Sequence, residues 1–153
     1  MLLKLAGAIG AAGILLTTLS AAPASATTNT VTIGSVTLTA RVLVAVPVTV
    51  VCDPLGTVSD QLENQIIVSV TQASGRAVAT GQGEVFSESP QPLLLTCDGV
   101  TQNHVVVDVL PAAGSPPFHG GSAIIFASFT VFDFSTQVGE SGNTGNTPVK
   151  IRG

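Results

Sequence analysis

Two histidines, His104 and His119, are the only side chains in this sequence with an ordinary titration range close to neutral pH. His104 stands four residues before Asp108, so with a serine the pair would spell the nucleophile, base and orienting acid of acyl transfer. The run His119-Gly120-Gly121-Ser122 has the composition of a turn whose backbone N–H groups hold an oxyanion. The G-x-S-x-G elbow that would aim a serine at such a turn is missing, and no alternation of helix and strand surrounds it. Asp98, Asp108 and Asp133 carry the hard oxygens that calcium takes, yet no D-x-[DN]-x-[DN]-G loop gathers them. Gly81-Gln82-Gly83 lacks the third glycine and following helix of a phosphate cradle. These spacings predict no catalytic residues, no cofactor and no metal site.

The remaining reactive side chains are Cys52 and Cys97, the only cysteines. Each is followed by Asp and a turn former, Cys52-Asp53-Pro54 and Cys97-Asp98-Gly99, which predicts that both sulfurs end strands at one end of a domain. A metal or redox pair would call for CxxC spacing or flanking histidines, and neither is present. One intramolecular disulfide is the simplest reading for a chain that meets oxidising conditions.

Such conditions are predicted by the first 26 residues. Lys4 forms a short cationic start, residues 5–19 are apolar, and Ala24-Ser25-Ala26 offers the small side chains that signal peptidase accepts. A cleaved signal peptide over 1–26 leaves a single domain, 27–153, beginning at Thr27. The apolar run is below the ~20 residues of a spanning helix, and no later run is longer, so no membrane span is expected after signal removal. No cysteine follows the cleavage site to take a lipid, so a secreted location is expected.

Five Lys and Arg against nine Asp and Glu, with no basic run, argue against nucleic acid as a partner. There is no Trp or Tyr, so stacking platforms for sugars are not expected.

The elements that must carry these residues read as strands. Even positions of 36–52 are almost all Val, Leu or Ala, and many odd ones are Thr or Arg, the period-two pattern of a half-buried strand. Pro47 interrupts it and predicts a bend, bulge or edge, with one long strand or two meeting there. Residues 66–71 and 76–85 predict a hairpin closed by Ala73-Ser74-Gly75. Further strands are expected up to Cys97, over 104–110 with Val105, Val107 and Val109 on one face, and over 122–132. In that last strand Ala123, Ile125, Ala127, Phe129 and Val131 form a core stripe, and apolar Ile124, Phe126 and Phe132 opposite suggest a central or covered strand. A polar tail, 134–147, precedes a short edge strand at 148–151. Seven or eight strands without an amphipathic helix predict an antiparallel all-β domain, a two-sheet sandwich in preference to a small barrel.

The series Val48-Thr49-Val50-Val51-Cys52-Asp53-Pro54, Val68-Ser69-Val70-Thr71-Gln72, Gly81-Gln82-Gly83 and Cys97-Asp98-Gly99 resembles secreted bacterial immunoglobulin-like domains. The likeness continues through Phe118-His119-Gly120-Gly121-Ser122-Ala123 and the closing Val149-Lys150-Ile151-Arg152. It implies export, an immunoglobulin-like β-sandwich and a disulfide, and it brings no activity or binding residue. A strand-borne Trp beside the cysteines is missing, which separates the chain from antibody-type domains. The expected role is a non-catalytic module with a protein or envelope partner. The alternative is a small-ligand or calcium-binding module using the loops 53–64 and 111–121.

Overall fold

The computed structural model describes residues 29–40, 42–55, 61–88 and 95–153. The predicted signal peptide, residues 56–60 and residues 89–94 lie outside these. All regular structure among the described residues is strand, and none of them forms a helix long and apolar enough to cross a membrane. The strands are β1 (Thr30–Ile33), β2 (Thr37–Thr39), β3 (Leu43–Val51), β4 (Leu62–Ser74), β5 (Ala77–Glu88), β6 (Asn103–Pro111), β7 (Gly121–Asp133), β8 (Val138–Asn143) and β9 (Thr147–Ile151).

These nine form one antiparallel sheet in the order β1-β3-β6-β5-β4-β7-β8, with β2 also on β3 and β9 also on β7. The sheet curls so that a half containing β1, β2, β3 and β6 faces a half containing β5, β4, β7, β8 and β9. The halves are hydrogen-bonded at both margins. On one side Gly81 and Gln82 of β5 pair with Pro111 and Leu110 of β6. On the other, Leu38 N–H donates to the Arg152 carbonyl at 2.7 Å and Arg152 N–H to that of Val36 at 3.0 Å. The expected two separate sheets are thus a single continuous one.

Period-two alternation fills the space between the halves. Val44, Val46, Val48 and Val50 of β3 are buried with their β6 neighbours Val107 and Val109, and they share the core with Ile66, Val68 and Val70 of β4 and the whole 123–131 odd stripe of β7. β7 is central, flanked by β4 on one side and by β8 and β9 on the other, which accounts for its two apolar faces.

Several boundaries differ from the sequence reading. The chain forms nine strands because two positions in the sheet are each split: β1 and β2 share one side of β3, and β8 and β9 share one side of β7. The 36–52 run breaks at Ala40, whose φ of 47° turns the chain back, and not at Pro47. Pro47 sits within continuous β3 because its missing N–H points where β1 has ended at Ile33 and β2 has not begun. There its carbonyl accepts from Gly34 at 2.8 Å, and no ladder donor is needed. The polar tail contains β8, whose Gly139 and Gly142 lie against the rings of Phe132 and Phe129 where a Cβ would collide. Residues 95–97 are not strand, so Cys97 sits in the loop before β6. The 148–151 edge strand is present as β9.

Gly81 and Gly83 form the corner where β5 meets β6. A Cβ on either would land on a backbone carbonyl, Leu110's for Gly81 and Asp108's for Gly83. With Ala79 they give β5 an inward face almost without side chains, and Phe118, 2% exposed, covers it from the 111–121 loop. The motif considered as a phosphate cradle is therefore a device for close backbone approach.

Candidate functional site

The register gives the molecule two distinct ends. At one, β3, β5 and β7 finish and β4 and β6 begin; here Cys52 and Cys97 are joined with Cα atoms 4.7 Å apart. At the other are the Gly75-Arg76 turn between β4 and β5, the 111–121 loop, and the end of β9. The described parts of the 53–64 loop, residues 53–55 and 61–64, and the 111–121 loop, read together as a possible ligand site, consequently stand at opposite ends of the sheet. They do not share one pocket.

The residues weighed for acyl transfer are also apart. His104 and Asp108 point outward from β6, opposite Thr49 and Ala45 of β3. Four residues of strand at about 3.3 Å each separate them by roughly 13 Å, well beyond a hydrogen bond. His104 Nδ1 meets the Thr49 hydroxyl at 2.9 Å. His119 lies on the other half, its ring nitrogens 2.9 Å from the Gly120 carbonyl and 3.2 Å from that of Ala73. Its backbone is clasped by the Gln72 side-chain amide, whose Nε2 donates to the His119 carbonyl at 2.8 Å while Oε1 accepts from His119 N–H at 3.0 Å.

The three aspartates considered for calcium each organise a local turn or stand alone. Asp98 accepts from the Thr101 hydroxyl at 2.6 Å, Thr101 N–H at 2.7 Å and Val100 N–H at 2.9 Å. These bonds, the Thr101 hydroxyl first, favour the carboxylate and lower its pKa to about 2. Buried Asp133 holds the turn after β7, its Oδ1 accepting from Ser135 N–H at 2.8 Å and Ser135 Oγ at 2.7 Å. Asp108 is exposed on β6. No group of three or more His, Cys, Asp or Glu gathers among the described residues.

Polar residues whose positioning role the sequence reading did not assign hold the loops. Asn103, buried beside the disulfide loop, accepts from Thr96 N–H at 2.7 Å and donates to the Thr96 carbonyl at 3.0 Å and the Val50 carbonyl at 3.1 Å. Asn103, Gln72 and Asp133 share a signal. Each continues the inward parity of its strand one step past the apolar run, so each is buried at a strand end where loop backbone needs partners. Asn64 has the same parity on β4, is fully buried, and neither amide atom is hydrogen-bonded.

A groove of about 580 Å³ lies on the outer surface of β5, β4, β7 and β9, near the 75–76 turn. Val78, Ala73, Thr71, Ile124 and Pro148 form its floor and Lys150 its border, with Val78 and Ile124 each about half exposed.

No protein-family model matches the chain, and neither a curated protein nor a solved structure does.

Proposed function

We infer that the protein is an exported, non-catalytic immunoglobulin-like module that acts through protein contacts in a bacterial cell envelope or outside the cell. The observation that carries this reading is where the polar groups are spent. His119, Gln72, Asn103, Asp98 and Asp133 are committed to holding turns and loops, and no two of the histidines and their candidate acids meet. That arrangement builds a scaffold without the converging nucleophile, base and oxyanion donors of an active site.

The strand order supports the immunoglobulin-like part. Counting β1 with β2 and β8 with β9 gives seven positions, of which the first, second and fifth form one half and the other four the second half. An immunoglobulin sandwich groups strands A, B, E and D against C, F and G. The present order differs by one move, in which the fourth strand pairs with the third and keeps only a two-residue ladder to the fifth. The disulfide favours export, since such bonds persist in oxidising compartments.

The test is to assay the purified domain on generic ester, peptide and glycoside substrates, alongside the double variant His104→Ala/His119→Ala. The expected result is no turnover and an unchanged β-type circular dichroism spectrum. Hydrolysis that vanishes in the double variant would contradict the reading.

A further inference from the structure

The chain's modest net charge of −4 conceals a strong separation of sign. Among the described residues the cations are Arg76, Lys150 and Arg152, and all three are exposed at the end that holds the 75–76 turn. Five of the eight described side-chain carboxylates, those of Asp53, Glu63, Glu88, Asp98 and Glu140, stand at the disulfide end at least partly open to solvent, and a sixth, Asp133, is buried there. The poles are separated by roughly the length of the 13-residue β4, about 40 Å at 3.3 Å per residue. Glu63 lies directly opposite Glu88 on the outward face, a like-charge cross-strand pair that costs stability unless a cation lies over it.

Each pole also carries an apolar feature of its own. At the cationic end the groove offers an apolar floor beside Lys150, with Arg76 two residues from Val78. At the acidic end the β7–β8 turn projects Phe134, 50% exposed, and Val138, 43% exposed. This tip is rigid. Asp133 holds it from below, Gln137 N–H returns to the Asp133 carbonyl at 2.9 Å, the Gln137 side chain donates to the Phe134 carbonyl at 2.7 Å, and Phe134 packs edge-on against Phe132 at 4.9 Å. A pre-ordered aromatic on a hairpin tip loses little entropy on docking, and Glu63 faces Phe132 at its base.

We propose that copies of this chain associate head to tail, the Phe134–Val138 tip of one seated in the Val78, Ile124 and Pro148 groove of the next. The partner is a second copy because knob and groove, with opposite charge around them, occur on the same molecule at opposite poles. Each copy then offers one tip and one groove without competition, and the contact is heterologous, so it propagates into rows. This names the partner of the interaction module inferred above and rests on that reading.

Sedimentation velocity of the purified protein across a concentration series tests it, at low and at high salt. The expected mass rises with concentration, and salt shifts the curve toward monomer because the charges are exposed. Lys150→Glu, which spoils the groove, and Phe134→Asp, which spoils the tip, should each weaken association at least about tenfold. Mixing the two variants leaves one intact groove and one intact tip, so a 1:1 dimer and nothing larger should form. Adding Glu63→Lys to Lys150→Glu should restore association, a rescue that a misfolded variant would not show. A monomer at all concentrations, or association lost with Lys150→Glu but untouched by Phe134→Asp, would overturn the assembly. A monomer without turnover overturns only the assembly, whereas turnover overturns the non-catalytic reading itself.

Discussion

At the scale of single residues, Asp98 shows how a side chain with the right chemistry for a site is absorbed by architecture. Its two oxygens take three donors from residues 100 and 101, and the turn they form leads from the disulfide into β6. The carboxylate is favoured in the folded state, with a pKa of about 2 against the ordinary 3.8. A depressed folded pKa contributes stability that is present above the unfolded value and is lost as pH falls through about 2. Asp98→Asn should therefore flatten the loss of stability on acidification from about pH 4 to pH 2. Thermal unfolding of both proteins across that window measures it. An unchanged slope, or a carboxyl titration midpoint near 4 by NMR, would contradict the turn geometry.

Residue-scale features were legible in the sequence only in part. The core valines of β3 and the odd stripe of β7 could be read because alternation is local. Asn103, Gln72 and Asp133 obey the same parity but are polar, and a polar residue at an inward position says nothing by itself about which loop carbonyl it meets. The partners of Asn103, at residues 50 and 96, are supplied by the neighbouring strand and the disulfide loop.

At the scale of elements, the corner between β5 and β6 decides how the sheet curls. Gly81 and Gly83 let the backbones touch where any Cβ would meet a carbonyl of β6. Because backbone cannot swing aside as a long side chain can, Gly83→Ala should cost about 3 kcal/mol or more, at the upper end for overpacking. Chemical denaturation of the variant measures this. A cost below about 1 kcal/mol would show that the margin opens easily. Pro47 teaches the complementary lesson. From the sequence it is a bend, bulge or edge, with one long strand or two meeting there. In the fold it is tolerated because the neighbour on its N–H side is itself broken, a pairing no single-strand reading contains. The break fell at Ala40, whose left-handed φ has no strong signal in an alanine.

At the scale of the whole molecule, the disulfide and the charge separation both depend on which strand ends share a pole. Cys52 and Cys97 close a loop of 45 residues, worth about 4 kcal/mol in the chain-entropy model. The loop joins β3 to the segment before β6, two neighbours within one half of the sheet. Cys97→Ser should lower the unfolding free energy by that order, and with it the melting temperature, while the β-type circular dichroism spectrum persists; an unchanged free energy would show that the bond is redundant. The pairing could be anticipated because a chain with only two cysteines offers one intramolecular choice. The charge poles could not, because Arg76 and Lys150 are 74 positions apart in the chain and come to the same end only through the β4–β7–β9 register.

The central claim is an exported domain closed by one disulfide, and the intact mass of the protein recovered from culture medium tests both parts together. The mass predicted is that of residues 27–153 less two hydrogens, with no thiol reacting with an alkylating reagent under denaturing conditions. Retention of residues 1–26 in a cell-bound protein, or two alkylated cysteines on the released one, would contradict the account.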